Sequence, residues 1–206
     1  DTDGDDRFDS VQNLKTMQGH GEHGPHSIIL GPDGKSLFMV AGNHTDIVEM
    51  DHYRLPKEWD EDNIFPLILD PRGHANERKA PGSWIAQLDP EGKEWTLQAA
   101  GFRNTYDIAF NEAGDLFAYD SDMEWDLGMP WYRPTRICHA ISGGEFGWRT
   151  GNSKFSPAWP DNLPGVTNLG QGSPTNLMFG TNARFPDKYK KTLFAFDWSF
   201  GIIYAV

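Results

Sequence analysis

Three histidines at regular spacing occupy a glycine-rich loop that runs from Gly19 to His26, directly before a predicted strand. They are His20, His23 and His26. An imidazole near its ordinary pKa of about 6.5 can take a proton from an alcohol at neutral pH. The same nitrogens can bind a metal ion, or they can hydrogen-bond the backbone of a turn. The spacing therefore leaves three interpretations open: a general base, a metal cluster or a structural turn.

A second candidate precedes another predicted strand, in the segment Gly101 to Asp107. Arg103 and Asn104 are adjacent there, and a guanidinium fork beside an amide can bind a carboxylate or a carbonyl oxygen. The alternative is an arginine that packs between sheets and pairs with an acid. Both interpretations remain open.

Four carboxylates stand at alternate positions directly after a predicted strand: Asp120, Asp122, Glu124 and Asp126. At this density they repel one another unless a cation or an arginine neutralises them. Carboxylate oxygens are ligands that suit Ca²⁺. We therefore predict a calcium site made by the first three. The alternative is that Arg133 and Arg136, nearby in sequence, supply the opposite charge.

Composition narrows the function classes. The 206 residues include 18 basic and 30 acidic side chains, a formal charge of −12, which argues against a nucleic-acid partner. No run of about 18 apolar residues is present, which argues against a membrane-spanning chain. A single cysteine, Cys138, excludes an internal disulfide framework. The 22 glycines and 14 prolines indicate many turns that join short strands.

Strand–turn–strand units recur along the chain and must position these candidates. Apolar runs flank tight turns in residues 27–40 and 107–119, and a looser copy spans 176–196. Such runs predict antiparallel hairpins, and a recurring four-strand unit is typical of a β-propeller. Trp125, Trp131, Trp148 and Trp159 are expected to pack against the sheets, since large aromatic side chains favour burial.

The predicted fold class is therefore all-β, a propeller of four-stranded antiparallel blades with about three blades of a six-bladed ring. The blade units are expected at roughly 20–105, 106–172 and 173–206, with 1–19 as the end of a preceding blade. We expect the sequence to be a piece of a longer polypeptide. Loops that precede neighbouring inner strands should open at one end of the propeller, which would bring His23 and Arg103 to the same pocket.

Four segments in this order resemble the glucose/sorbosone dehydrogenase family: His23–His26, Gly31–Gly34, Gly101–Asn104 and Gly143–Trp148. Members of that family are six-bladed propellers that use pyrroloquinoline quinone (PQQ) and Ca²⁺. In closer detail, the stretch from Gly101 to Pro174 resembles the family's membrane-bound dehydrogenase domains of planctomycete-type bacteria. Their propeller is often joined to helical-repeat and cytochrome c modules.

The resemblance implies roles for individual residues. His23 stands eight residues before Gly31, the place of the family's catalytic histidine. Arg103 and Asn104 match the pair near the quinone, so Arg103 is assigned to both catalysis and cofactor binding. His26, where the family usually has a small residue, is assigned to the cofactor-binding set. The family's Glu-x-Gly-Pro-like calcium loop is not matched, since this sequence has Asp120–Met123 there.

The function implied is oxidation of a sugar or other alcohol, an oxidoreductase reaction with PQQ and Ca²⁺ as cofactors. His23 would take the hydroxyl proton while the hydride passes to the quinone and Arg103 stabilises the developing charge. A cytochrome c domain or protein is the implied electron acceptor, and a periplasmic or cell-envelope location follows from the same resemblance. Two alternatives stay open: a non-catalytic propeller that binds glycans or a redox partner, and a calcium-dependent propeller hydrolase.

Overall fold

The structure is a computed structural model that describes residues 2–59, 67–151 and 159–206. Short strands dominate these ranges. Numbered in chain order, they are β1 Pro25–Leu30, β2 Leu37–Ala41, β3 His52–Tyr53, β4 Ser83–Leu88, β5 Trp95–Phe102, β6 Asp107–Phe110, β7 Leu116–Asp120, β8 Thr135–His139, β9 Gly144–Glu145, β10 Thr167–Gly170, β11 Pro174–Phe179, β12 Leu193–Asp197 and β13 Ile202–Ala205.

Helical structure in the described residues consists of 3₁₀ turns, among them Gly21–His23, Gly180–Asn182 and Asp187–Tyr189. Within the same residues, no helix is long and apolar enough to cross a membrane. The all-β prediction is confirmed.

The described residues form three sheets side by side. The first has the order β1-β2-β4-β5, and the second has the order β6-β7-β8-β10, each with antiparallel neighbours. The third consists of β11, β12 and β13. The three predicted hairpins are confirmed, because β1 pairs with β2, β6 with β7 and β11 with β12.

The first sheet departs from the expected four antiparallel strands. The two-residue strands β3 and β9 both pair in parallel with β5 and extend the sheet to six strands. Both cover the edge of β5, the fourth strand, which would otherwise be left unpaired. The third sheet has three strands. The predicted boundaries of the blade units stay predictions.

The first strand of each sheet lies beside the first strand of the next, since β1 contacts β6 and β6 contacts β11. Strand β7 shows how the layers pack, because its side chains alternate between its two faces. Leu116 and Ala118 pack toward the first sheet, whereas Phe117 and Tyr119 pack toward the third. Two apolar cores therefore separate the three sheets.

The tryptophan prediction holds in part. Trp148 and Trp159 are buried and Trp125 is half-buried. Trp131 is 53% exposed, so the expectation that it packs against a sheet is wrong. It lies in the long segment between β7 and β8, where its backbone N–H bonds the carbonyl of Met129 in a local turn.

Candidate functional site

His23 ends the 3₁₀ turn that leads into β1, and its side chain is buried. Its Nδ1 lies 2.6 Å from Oδ1 of Asn43, which follows β2. An amide oxygen only accepts, so Nδ1 donates and Nε2 carries the free lone pair. Asn43 is itself held, because its backbone N–H bonds the carbonyl of Arg103.

The protonation state of His23 follows from its surroundings. Burial, assisted by the positive charge of Arg103, lowers the pKa of His23 to about 2. The hydrogen bond to Asn43 opposes this shift but does not outweigh it. The imidazole is therefore neutral at physiological pH and presents the lone pair of Nε2 to a metal ion; it is a weak base until negative charge bound beside it raises the pKa again.

Two further histidines join His23, although no motif in the sequence groups them with it. The ring centroids of His23 and His44 are 4.8 Å apart, and those of His23 and His74 are 5.2 Å apart. His20 lies at the margin, 5.0 Å from His44. His44 follows β2 and His74 precedes β4, so only the folded chain brings them to the loop before β1.

His26 is absent from this cluster. Its Nε2 lies 2.6 Å from Oδ1 of Asn104, and its ring stacks on Tyr106 at 4.5 Å. The amide of Asn104 also donates to the carbonyl of Glu22. Two residues assigned to cofactor binding are thus bonded to each other, and Asn104 ties β1 and the turn before it to the loop before β6.

Arg103 stands between the histidines and the acidic segment, with its guanidinium almost fully buried. One terminal nitrogen lies 3.1 Å from Nε2 of His74 and 3.4 Å from a carboxylate oxygen of Glu124. The other donates to Ser121 at 3.1 Å and lies 3.7 Å from Asp122. The predicted proximity of His23 and Arg103 is confirmed, since both line one cleft.

Asp120 has a different role from the calcium ligand expected of it. Its buried carboxylate accepts hydrogen bonds from the backbone N–H groups of Arg103, Asn104 and Ser121, at 3.0 to 3.1 Å. Its second oxygen accepts two bonds from the guanidinium of Arg136. The structure thus separates Asp120 from Asp122 and Glu124, because its oxygens are committed to holding the loop before β6.

The remaining carboxylates of the acidic segment also have different partners from one another. Asp126 pairs with Arg133 at 2.9 Å, as the arginine alternative predicted. Asp122 accepts a bond from the hydroxyl of Tyr132, and with Glu124 it faces Arg103. Burial raises the pKa of Asp122, and the nearby Glu124 carboxylate adds to the rise. The calcium role of this pair stays a prediction.

Two adjoining clefts meet at Arg103, Glu22 and Glu124. The smaller, about 180 Å³, also reaches His23, Asn104 and Asp122. The larger, about 450 Å³, is further lined by both polar and charged side chains, namely His44, Asp70, Arg72, His74 and Glu77. Carboxylates outnumber arginines in both clefts. The walls therefore suit a neutral ligand rich in hydroxyl donors, or a cation, better than a free anion.

Comparisons with known proteins place the fold. No protein-family model matches the chain, and no curated protein matches it. Among solved structures, it is similar to an oxidoreductase described as a glucose dehydrogenase from Thermus thermophilus. The TM-score is 0.56 and the identity 18%, over 89% of this chain and 48% of that one.

A second similar structure is the PQQ-bound form of aldose sugar dehydrogenase from Streptomyces coelicolor. Here the TM-score is 0.50 and the identity 14%, over 88% of this chain and 49% of that one. The chain thus spans about half the length of each of these structures. Its fold is similar to about half of each of these dehydrogenase structures, in agreement with the resemblance drawn from the sequence.

Proposed function

We propose that this chain forms half of an oxidoreductase site that dehydrogenates a sugar or another alcohol, with PQQ as the hydride acceptor and Ca²⁺ beside it. The observation that carries the proposal is the pairing of a neutral, oriented imidazole with a buried guanidinium. His23 is fixed by Asn43, and Arg103 lines the same cleft. A fold shared with two sugar dehydrogenases supports the same reaction class.

The residues of the smaller cleft fit PQQ, itself a carboxylate anion, only together with Ca²⁺, which would offset the negative charge of Asp122 and Glu124. The Nε of Arg103 is buried without a hydrogen-bond partner among the described residues, so this guanidinium has a donor to spare for a quinone oxygen. Asp122 and Glu124 supply carboxylate oxygens of the kind that bind Ca²⁺. The raised pKa of Asp122 reflects buried negative charge that such a cation would neutralise. When bound, PQQ supplies the electrophilic quinone that accepts a hydride.

The chain's own residues perform the proton chemistry. His23 Nε2 takes the proton of a substrate hydroxyl as the hydride leaves the carbon that carries this hydroxyl, and that carbon becomes a carbonyl. Asn43 keeps the proton of the resting imidazole on Nδ1, so Nε2 is always the accepting atom. Arg103 opposes the negative charge that develops on the acceptor, a contribution often worth about 3 kcal/mol per donor.

Substrate recognition follows from the charge of the cleft. Glu22 presents a carboxylate to which the hydroxyl groups of a sugar or polyol can donate. We further propose a cytochrome c domain or protein as the electron acceptor, and a periplasmic or cell-envelope location. The substrate itself is proposed only as a class, an aldose or a polyol.

The test uses the full-length protein, reconstituted with PQQ and Ca²⁺ and assayed with aldoses and polyols by dye reduction. Wild type should reduce the dye, and His23→Gln should lose at least about 100-fold in kcat, as expected for loss of a general base. His139→Gln, on β8 outside both clefts, serves as the matched control and should keep its activity. Absence of PQQ binding by absorbance at micromolar protein would refute the proposal, and glycan binding that survives His23→Gln would favour a binding module.

A further inference from the structure

The histidine cluster contains a donor set of which the dehydrogenase chemistry uses only His23. His23, His44 and His74 each offer one ring nitrogen, and the three nitrogens lie within 4.8 Å of one another. An ion bonded to imidazoles at about 2.1 Å holds such nitrogens about 3.4 Å apart in tetrahedral geometry. The three nitrogens would therefore have to move closer together to bind one ion.

One ligand is already oriented. Metal-binding histidines nearly always donate their second ring N–H to a carboxylate or a carbonyl, which fixes the tautomer. His23 does so toward Oδ1 of Asn43 at 2.6 Å. Asn43 is in turn fixed through its backbone, because its N–H bonds the Arg103 carbonyl and its own carbonyl accepts from Arg78. This leaves Nε2 of His23 as a preformed ligand.

A second, independent observation concerns His44. Its Nε2 is buried and has no hydrogen-bond partner among the described residues. A buried polar nitrogen without a partner costs about 1–3 kcal/mol, so native structures seldom retain one without a reason. A metal ion at the centre of the cluster would satisfy this atom.

The chemistry of the donors selects the class of ion. Three imidazoles with an open fourth position suit Zn²⁺ and its neighbours Cu²⁺ and Ni²⁺, whereas Ca²⁺ and Mg²⁺ prefer oxygen. Arg103 works against a cation in two ways: through its positive charge, and because it donates a hydrogen bond to Nε2 of His74, which metal binding through that nitrogen would replace. Glu22, Glu77 and Glu124 line the same cleft and supply the compensating charge.

We propose that His23, His44 and His74 bind a divalent transition-metal ion, separately from any Ca²⁺ at the acidic segment. One consequence rests on the proposed function: Nε2 of His23 cannot hold a metal and accept a proton at once. Zn²⁺ is therefore an inhibitor of the dehydrogenase, and it competes for the base itself. The metal site stands on geometry alone and does not need the enzymatic activity.

The decisive experiment is calorimetric titration of the full-length protein, stripped with chelator, with Zn²⁺ in millimolar Ca²⁺. Wild type should bind one Zn²⁺ that Ca²⁺ does not displace. His44→Ala and His74→Ala should weaken binding by more than about 100-fold, since losing even a partner that only orients a ligand costs about 10–100-fold. His139→Ala, a half-buried histidine on β8 outside both clefts, should leave binding unchanged.

A spectroscopic readout guards against variants that fail to fold. Co²⁺ added to the wild-type protein should produce the intense visible absorption of a tetrahedral nitrogen site, and Zn²⁺ should abolish it. Absence of both Zn²⁺ binding and this spectrum in wild type overturns the site. Equal affinity in folded His44→Ala and in wild type also overturns it. Zn²⁺ binding without dye reduction by the PQQ-reconstituted protein would refute the dehydrogenase and leave the metal site standing.

Discussion

The carboxylate of Asp120 holds the backbone of Arg103, 17 residues earlier in the chain, at the point where β7 ends and β6 is about to begin. The same carboxylate accepts from the backbone N–H of Asn104 and from the side chain of Arg136. A single buried acid thus sets the position of the candidate arginine relative to the second sheet. Its role is to position the loop rather than to contact a ligand.

Asp120→Asn should therefore be strongly destabilising. The amide nitrogen would face donors, and Arg136, itself buried, would lose its opposite charge. Breaking a buried pair in this way costs about 3–5 kcal/mol. Urea unfolding should show this loss as a lower midpoint. Asp115→Asn is the control, because its pair with His139 is exposed and should be worth less than about 1 kcal/mol. Equal midpoints for the two variants would contradict the positioning role.

The hairpins were predictable because the signals are local. A run of apolar residues, a Pro-Asp-Gly turn and a second run define β1 and β2 without any knowledge of the rest of the chain. By contrast, β3 and β9 contain two residues each and show no periodicity. They exist because the edge of β5 offers unpaired backbone groups, and that edge is a property of the folded sheet.

The same distinction between local signals and properties of the folded chain applies to the site. Short motifs predicted that His23 and Arg103 share a pocket, because each precedes an inner strand. His44 and His74 lie in separate loops with no motif around them, and only the packing of the first sheet unites them with His23. The sequence predicted the acidic segment as a candidate site, but burial in the folded chain determines which of its carboxylates hold the fold and which face the cleft. Asp120 still belongs to β7 and turns inward, whereas Glu124 is exposed at the cleft.

Gly42 should not tolerate a larger residue, because two loops of the site pack closely against it. A Cβ at this position would lie 2.5 Å from the backbone carbonyl oxygen of His23 and would also overlap the amide oxygen of Asn104. Gly42→Ala should cost about 1–3 kcal/mol by overpacking. Gly24→Ala is the matched control, since its nearest neighbour is 3.4 Å away and its φ is −73°. A lower melting temperature for Gly24→Ala than for Gly42→Ala would contradict this account.

Cys138 should be inert in the folded protein. It is fully buried on β8 between the first and second sheets, and burial raises the pKa of its thiol to about 12. The thiolate is the reactive form, so almost none is present at a pH of about 8. Iodoacetamide at that pH should leave the Cys138 peptide unmodified by mass spectrometry, and guanidinium should expose it. Rapid alkylation without denaturant would show that this core opens readily.

Asn43 tests the geometry on which both proposals depend. Asn43→Ala removes the acceptor for Nδ1 of His23, so the ring loses its fixed tautomer and orientation. The residue lines neither of the two clefts that meet at Arg103, so substrate binding should be spared. We expect kcat of the PQQ-reconstituted protein to fall about 100-fold with little change in KM, the size that a misplaced catalytic group can cost.

The same variant should weaken Zn²⁺ binding by about 10–100-fold, because the hydrogen-bond partners of metal-bound histidines contribute on this scale. Asn43→Asp keeps an oxygen acceptor toward Nδ1 and should recover most of both losses. Asn168→Ala, an exposed amide on β10, should change neither quantity. If kcat falls in Asn43→Ala and Asn43→Asp does not restore it, the bond serves only the fold. If the Zn²⁺ affinity of a folded Asn43→Ala equals that of wild type, then the metal, if bound, lies away from His23.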